Sequence, residues 1–206
     1  DKVDLSRESL RREIAFYLLA GAHTSATAFT RCMHNIFKWL DANPAGIERI
    51  HTDRGFVQRA THETIRLQGS SPTSQRWALA DIELGSGVQI AKGDRVTIDL
   101  LTANRSTELY GPDAEEFNPE RQLREGVAPW GLSFGQGMHA CIGQDLAAGL
   151  SFDPEQTEKD HLFGLVAVAV QTMFDHGAQP DPANPPEMDD STTRPYFGKY
   201  PVVFAG

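Results

Sequence analysis

Cys141 stands in the stretch Phe134-Gly135-Gln136-Gly137-Met138-His139-Ala140-Cys141-Ile142-Gly143, a glycine-rich loop that runs into a predicted helix. Where loop N–H groups and a helix N-terminus favour negative charge, a thiol loses its proton more readily, and the thiolate is the form that ligates a metal. The other cysteine, Cys32, lies far away with no Cys-x-x-Cys spacing, so neither a disulfide framework nor a zinc site is suggested. It reads instead as a small apolar packing residue of a helix. Two further clusters carry chemistry. Glu63-Thr64-Ile65-Arg66 sets a carboxylate and a guanidinium three residues apart on one helix face, where they can pair; exposed pairs of this kind contribute little, so alone it says little. Ala20-Gly21-Ala22-His23-Thr24-Ser25 falls in the middle of a predicted helix, where Gly21 costs about 1 kcal/mol relative to alanine.

The elements that must position these residues follow from pattern and punctuation. Asp4 or Ser6 can cap a helix that continues through Leu10, Ile14, Leu18, Phe29, Met33, Ile36 and Leu40 and stops at Asn43-Pro44, so residues 4–43 are expected to be one helix. About 35 residues at 1.5 Å each give roughly 52 Å, against a radius of gyration of about 17 Å for a compact body of this length. Such a helix belongs to a larger body, part of which this chain is expected to lack. Residues 44–51 and 56–68 read as a short helix and an amphipathic one, and residues 69–75 as a polar loop. Turn signals at Gly85-Ser86-Gly87 and Lys92-Gly93-Asp94 break residues 77–101 into small β-strands. Helix is expected again after Cys141 and over residues 162–175, and loop over the Pro- and Asp-rich residues 179–195.

Composition narrows the function classes. With 206 residues, 40% hydrophobic and 23% charged, the chain reads as one globular domain. The net charge of −9 and the lack of a basic stripe argue against nucleic-acid binding. No apolar run is long enough for a membrane span, and no signal-like region opens the chain, so a reducing, cytoplasmic setting is expected.

The spacing Phe-x-x-Gly-x-His-x-Cys-x-Gly resembles the haem-ligand loop of the cytochrome P450 family, and Glu63-x-x-Arg66, Phe117-Asn118-Pro119-Glu120-Arg121 and the Gly21 to Thr24 segment resemble further family motifs in the same order. The likeness runs from Leu10 to about Ala147 and covers the family's C-terminal half. It implies a mainly α fold with small β-sheets, one partial domain over residues 1–206. Within it would lie a long central helix (4–43), a Glu-x-x-Arg helix (56–68), a small β region (77–101), and a meander, ligand loop and following helix (117–150).

The same resemblance implies haem b (iron protoporphyrin IX) as cofactor, with Cys141 as the iron ligand that pushes electron density toward bound oxygen. Phe134 and Gly137 would let the flat macrocycle approach the backbone, and His139 and Arg76 would bind its propionates. Glu63, Arg66 and Arg121 would form a desolvated network that fixes the ligand loop. Gly21 would permit a local opening of the long helix for dioxygen, and Thr24 would help deliver protons. His23 stands where the family carries an acid; histidine can itself shuttle a proton near neutral pH. Ser70, Ser71 and Thr73 would contact substrate. The acidic insertion at residues 151–160 reads as a tolerated surface loop, or as a segment that tunes the choice of redox partner.

The implied function is a haem-thiolate monooxygenase of the soluble bacterial style, a style suggested by His139 in the ligand loop. It would oxidise a small organic substrate with electrons from a ferredoxin or flavoprotein reductase. Two rivals remain: a peroxide-driven haem-thiolate peroxygenase, suggested by the replaced acid, and a truncated, noncatalytic haem-binding protein.

Overall fold

The computed structural model describes residues 4–151 and 160–204. Helix α1 (Arg7–Ala42) begins where the Ser6 hydroxyl accepts the Ser9 N–H at 3.1 Å, and it ends at Asn43, ahead of Pro44. Its C-terminal half is buried through Thr27, Ala28, Cys32, Met33, Asn35, Ile36 and Phe37. Its N-terminal half stands clear of the body: Ile14, Leu18 and Leu19 are exposed despite being apolar. Helix α2 (Gly46–Thr52) leads into α3 (Arg54–Leu67), capped by Asp53, whose carboxylate accepts the Phe56 N–H at 2.8 Å. Nearly all of α3 is buried, its polar residues Gln58, His62, Glu63 and Arg66 included, and this sets up the site.

Strand β1 (Thr73–Trp77) pairs antiparallel with β4 (Arg95–Asp99), Thr73 opposite Asp99 and Trp77 opposite Arg95; between them β2 (Ile82–Glu83) and β3 (Gln89–Ile90) form a small hairpin. The expected loop over residues 69–75 therefore gives way to strand at Thr73. Its sequence, Thr-Ser-Gln-Arg-Trp, lacks the apolar alternation that marks a half-buried strand, because neither face of this pair lies in the core. Short helices α4 (Leu100–Ala103) and α5 (Thr107–Tyr110) follow, then an irregular stretch, a single 3₁₀ turn (Gly137–His139) and α6 (Gln144–Ala148). Helix α6 stops after five residues at Gly149, whose φ of +71° and contacts leave no room for a Cβ: one would sit 2.2 Å from Gln58 Nε2 and 2.4 Å from Gly164 N. Gly149 forms a bridge with Phe163, which brings together the two ends of the insertion; residues 152–159 of that insertion lie outside the described residues.

Helix α7 (Leu165–Asp175) packs against α1 and α3, and the core forms where the three meet, around Cys32, Ile36, Phe56, Val57, Ala60, Val170 and Phe174. Cys32 is fully buried and burial pushes its thiol up to about 11, in keeping with a packing role. Finally β5 (Ala178–Pro180) pairs with β8 (Val202–Phe204), and β6 (Glu187–Asp189) with β7 (Tyr196–Lys199). The reading of residues 179–195 as loop misses β5 and β6, since antiparallel partners downstream can pair short strands whose own propensity is poor.

Candidate functional site

The loop that carries Cys141 is closed by its own backbone. Cys141 N–H donates to Phe134 O at 2.7 Å, Gly135 N–H to Leu132 O at 2.8 Å and Ala140 N–H to Gly137 O at 3.1 Å. Gly135 and Gly137 hold φ of +68° and +66°, in the left-handed region that glycine adopts without a Cβ penalty. A Cβ on Gly137 would meet nothing within 4 Å, so the backbone there faces open space. Cys141 is exposed and lies three residues ahead of α6. One turn and a half of helix supplies only part of the dipole that a full helix would offer the thiolate.

Helix α3 grips this loop at both ends. On one side Asn104, 1% exposed, accepts the Leu132 N–H at 2.6 Å and donates to Arg66 O at 3.0 Å and to Ser133 Oγ at 2.9 Å, while Ser133 Oγ donates to Ile65 O at 2.7 Å. On the other side Gln58 donates to Ala148 O at 2.8 Å and Leu150 O at 3.0 Å and accepts the Gly164 N–H at 3.1 Å. His62 Nε2 lies 2.8 Å from Ala148 O; because a carbonyl only accepts, this nitrogen carries the proton. Burial pushes the His62 imidazole down to about 4, so it stays neutral. Its ring meets Trp130 edge-on, and Trp130 meets Phe134 in turn.

The Glu63, Arg66 and Arg121 network forms as the sequence implies. Arg66 donates to both Glu63 oxygens at 2.7 Å, and to Asn104 O and Ala114 O at 2.6 and 2.8 Å. Arg121 reaches Glu63 Oε1 at 3.1 Å and Asp113 Oδ1 at 2.6 Å. The Arg66, Glu63 and Arg121 side chains are 0%, 5% and 5% exposed. Two cations around one fully bonded carboxylate are held only because backbone carbonyls and Asp113 complete their hydrogen bonds.

Above the loop opens a cavity of about 750 Å³. Helix α1 lines it with Ala20, Thr24 and Ala28 at four-residue spacing, the segment after α3 brings Ser70, Ser71, Thr73 and Arg76, and the ligand loop brings Phe134, His139 and Cys141. Helix α1 runs unbroken past this point, so the expected opening at Gly21 is not a break in the helix. Thr24 Oγ1 donates to Ala20 O at 2.6 Å, and Ser70 Oγ donates to Thr24 O at 2.9 Å. Gly21 does not line the cavity, and a Cβ on it would meet nothing within 4 Å. His23 is also off the cavity, its ring set edge-on against Tyr196 of β7 with centroids 4.9 Å apart. Arg76, by contrast, lines it while donating to Ser74 Oγ at 2.7 Å.

The family model for cytochrome P450 matches residues 1–149 of this sequence. The chain belongs to the cytochrome P450 family. Among curated relatives, the probable cytochrome P450 313a1 of Drosophila melanogaster is 32% identical over 166 residues, 71% of this chain and 34% of that protein. The bifunctional cytochrome P450/NADPH–P450 reductase 2 of Bacillus subtilis is 28% identical over 158 residues, 69% of this chain and 15% of that one. The crystal structure of CYP109E1 from Bacillus megaterium in complex with corticosterone shares the fold, with a TM-score of 0.73 at 19% identity over 97% of this chain and 48% of that one. This P450 chain thus spans about half the length of the solved chain it matches.

The family implies a haem cofactor, and the residues present fit one. Cys141 offers a single sulfur to the cavity, with the Arg76 guanidinium and the His139 imidazole on the same walls and open space over Gly137. Among the described residues no group of three or more His, Cys, Asp or Glu could hold a bare metal ion. One soft ligand suits an iron already held by a macrocycle. Sequence reasoning missed Asn104, Gln58 and His62, which carry no charge and act through backbone groups. Among the described residues no helix is long and apolar enough to cross a membrane.

Proposed function

We propose that this chain is the catalytic, haem-binding part of a haem-thiolate monooxygenase that inserts one oxygen atom from dioxygen into a small organic substrate. The observation that carries the proposal is the shared cavity, in which the Cys141 thiol, the Thr24 segment of α1, Arg76 and His139 line one space. Haem b, when bound, supplies an iron that activates dioxygen with electrons from a ferredoxin or flavoprotein reductase. Cys141 would hold that iron through its sulfur and supply electron density to it. Arg76 and His139 would hold the propionates by charge-assisted hydrogen bonds, and Phe134 and Gly137 would bound the macrocycle.

Thr24 handles protons. Its hydroxyl proton rests on the Ala20 carbonyl, which leaves the oxygen lone pairs to accept from water or substrate on the cavity side. His23 packs on Tyr196 and is not placed as a donor into the cavity. Asn104 and the Glu63 network are positioning groups: they hold the sulfur where the ligand bond forms. Turnover under isotopically labelled dioxygen with a reductase tests the reading; one labelled oxygen per product is expected, and label absent from product refutes it. A second reading, use of peroxide without a reductase, is favoured by one fact: no Asp or Glu lines the cavity among the described residues. Turnover with hydrogen peroxide alone, matching the reductase-driven rate, would select it.

A further inference from the structure

The cavity wall carries a second guanidinium besides that of Arg76. Arg194, between β6 and β7, lines the cavity of Cys141 and also an adjoining cavity of about 250 Å³. The adjoining space gathers Arg31, Arg105 and His34 beside Arg194, and among the described residues neither space is lined by Asp or Glu. In a chain of net charge −9 this is a local reversal of sign.

Two of the guanidiniums are fixed in place by neutral acceptors. Arg31 donates to the carbonyls of Gln68, Gly69 and Pro195, and Arg105 to Leu67 O at 2.7 Å and Leu101 O at 3.2 Å. Carbonyls satisfy N–H groups but leave the charge uncompensated. Asp99 feels Arg105, but its oxygens are taken by the Thr102 N–H and hydroxyl at 3.0 and 2.8 Å. Arg194 forms no ion pair among the described residues, and its backbone is pinned by Thr192, which accepts its N–H at 3.2 Å. The main cavity it lines is also walled by the hydroxyls of Ser70, Ser71, Thr73 and Thr193 and by the apolar Ala28, Ile65 and Val166.

We propose that the substrate of this chain carries a carboxylate, that Arg194 binds it in the field of Arg31 and Arg105, and that the apolar remainder reaches toward Thr24. Cations that converge on one side of a cavity raise the local concentration of an anionic ligand and fix its orientation. The binding claim stands on the lining residues; only the fate of the bound acid rests on the monooxygenase reading.

The test is calorimetric titration of the haem-loaded protein with phenylacetate, hydrocinnamate and decanoate, each against its amide, alongside the Soret shift. At least one acid is expected to bind about tenfold tighter than its amide at low salt, a preference that shrinks as salt rises. It should vanish in Arg194→Gln and largely survive in Arg194→Lys. A panel in which no acid outbinds its amide, whether both bind or neither does, overturns the proposal, as does an undiminished preference in Arg194→Gln. Loss of haem from Arg194→Gln would assign the arginine to a propionate and overturn it equally. A protein without a thiolate-type spectrum refutes the monooxygenase reading instead, and the calorimetric preference still decides this one.

Discussion

Replacing Asn104 by alanine isolates the mechanical link between the Glu63 network and the ligand loop. The change leaves all charges in place but removes three hydrogen bonds, to the Leu132 N–H, the Arg66 carbonyl and the Ser133 hydroxyl, at a site 1% exposed. The Leu132 N–H, partly buried, loses its partner outright, at about 1–2 kcal/mol; the Arg66 carbonyl and Ser133 hydroxyl lose one partner each, and Ser133 keeps Ile65 O. Together these give about 3 kcal/mol. For a chain of 206 residues each kcal/mol moves the midpoint by roughly 2–4 °C, so Asn104→Ala should melt about 6–12 °C below the parent. If about half of the cost falls on ordering the loop at ligation, haem affinity drops about tenfold. Circular dichroism melts and haem transfer to apomyoglobin measure the two quantities. A melt within 2 °C of the parent, with unchanged haem transfer, would refute the claim that Asn104 holds the loop.

Glu63→Gln leaves Arg66 buried against a neutral partner and Arg121 with Asp113 alone, and should cost about 3–5 kcal/mol, read as a large drop in urea midpoint; a midpoint like the parent's contradicts it. Acid should destabilise the fold through His62. The unfolded imidazole takes a proton near pH 6.5 and the folded one only near 4, so stability present above pH 6.5 falls between these values by about 3 kcal/mol. His34, also lowered by burial, adds in the same direction. Urea midpoints at several pH values for the parent and His62→Gln check this, with a flatter dependence expected in the variant. Gly131→Ala should unseat the loop, since φ is +61° and a Cβ would lie 2.2 Å from Asn104 Oδ1; retention of full haem content would count against it. Gly21→Ala should raise stability by about 0.5–1 kcal/mol, because the site is open and helical. If turnover is unaffected as well, Gly21 has no part in the reaction.

What the sequence could reveal depended on the kind of interaction. Cys141 stood out by its glycine loop, whereas the Glu63, Arg66 and Arg121 set was legible only through the resemblance to family motifs, since Glu63-x-x-Arg66 alone reads as an ordinary surface pair. Asn104, Gln58 and His62 were not legible, because each meets backbone atoms of distant segments and leaves no periodic trace. The separation of His23 from Thr24 was not legible either: adjacent helical residues point about 100° apart, and either neighbour of Thr24 could have lined the cavity, as Ser25 does. The long helix was readable from its caps, whereas β1 and β6 lacked an apolar rhythm because they edge the body rather than build its core, and β5 gives the core only Ala178.

The central claim is that the Cys141 thiolate is bonded to haem iron, and the visible spectrum of the reduced, carbon-monoxide-bound protein tests it most directly. The parent, loaded with haem, should show the thiolate-shifted Soret band, and Cys141→Ser should lose that shift. A Soret band that is unshifted in the parent, or the same in both proteins, would contradict the account.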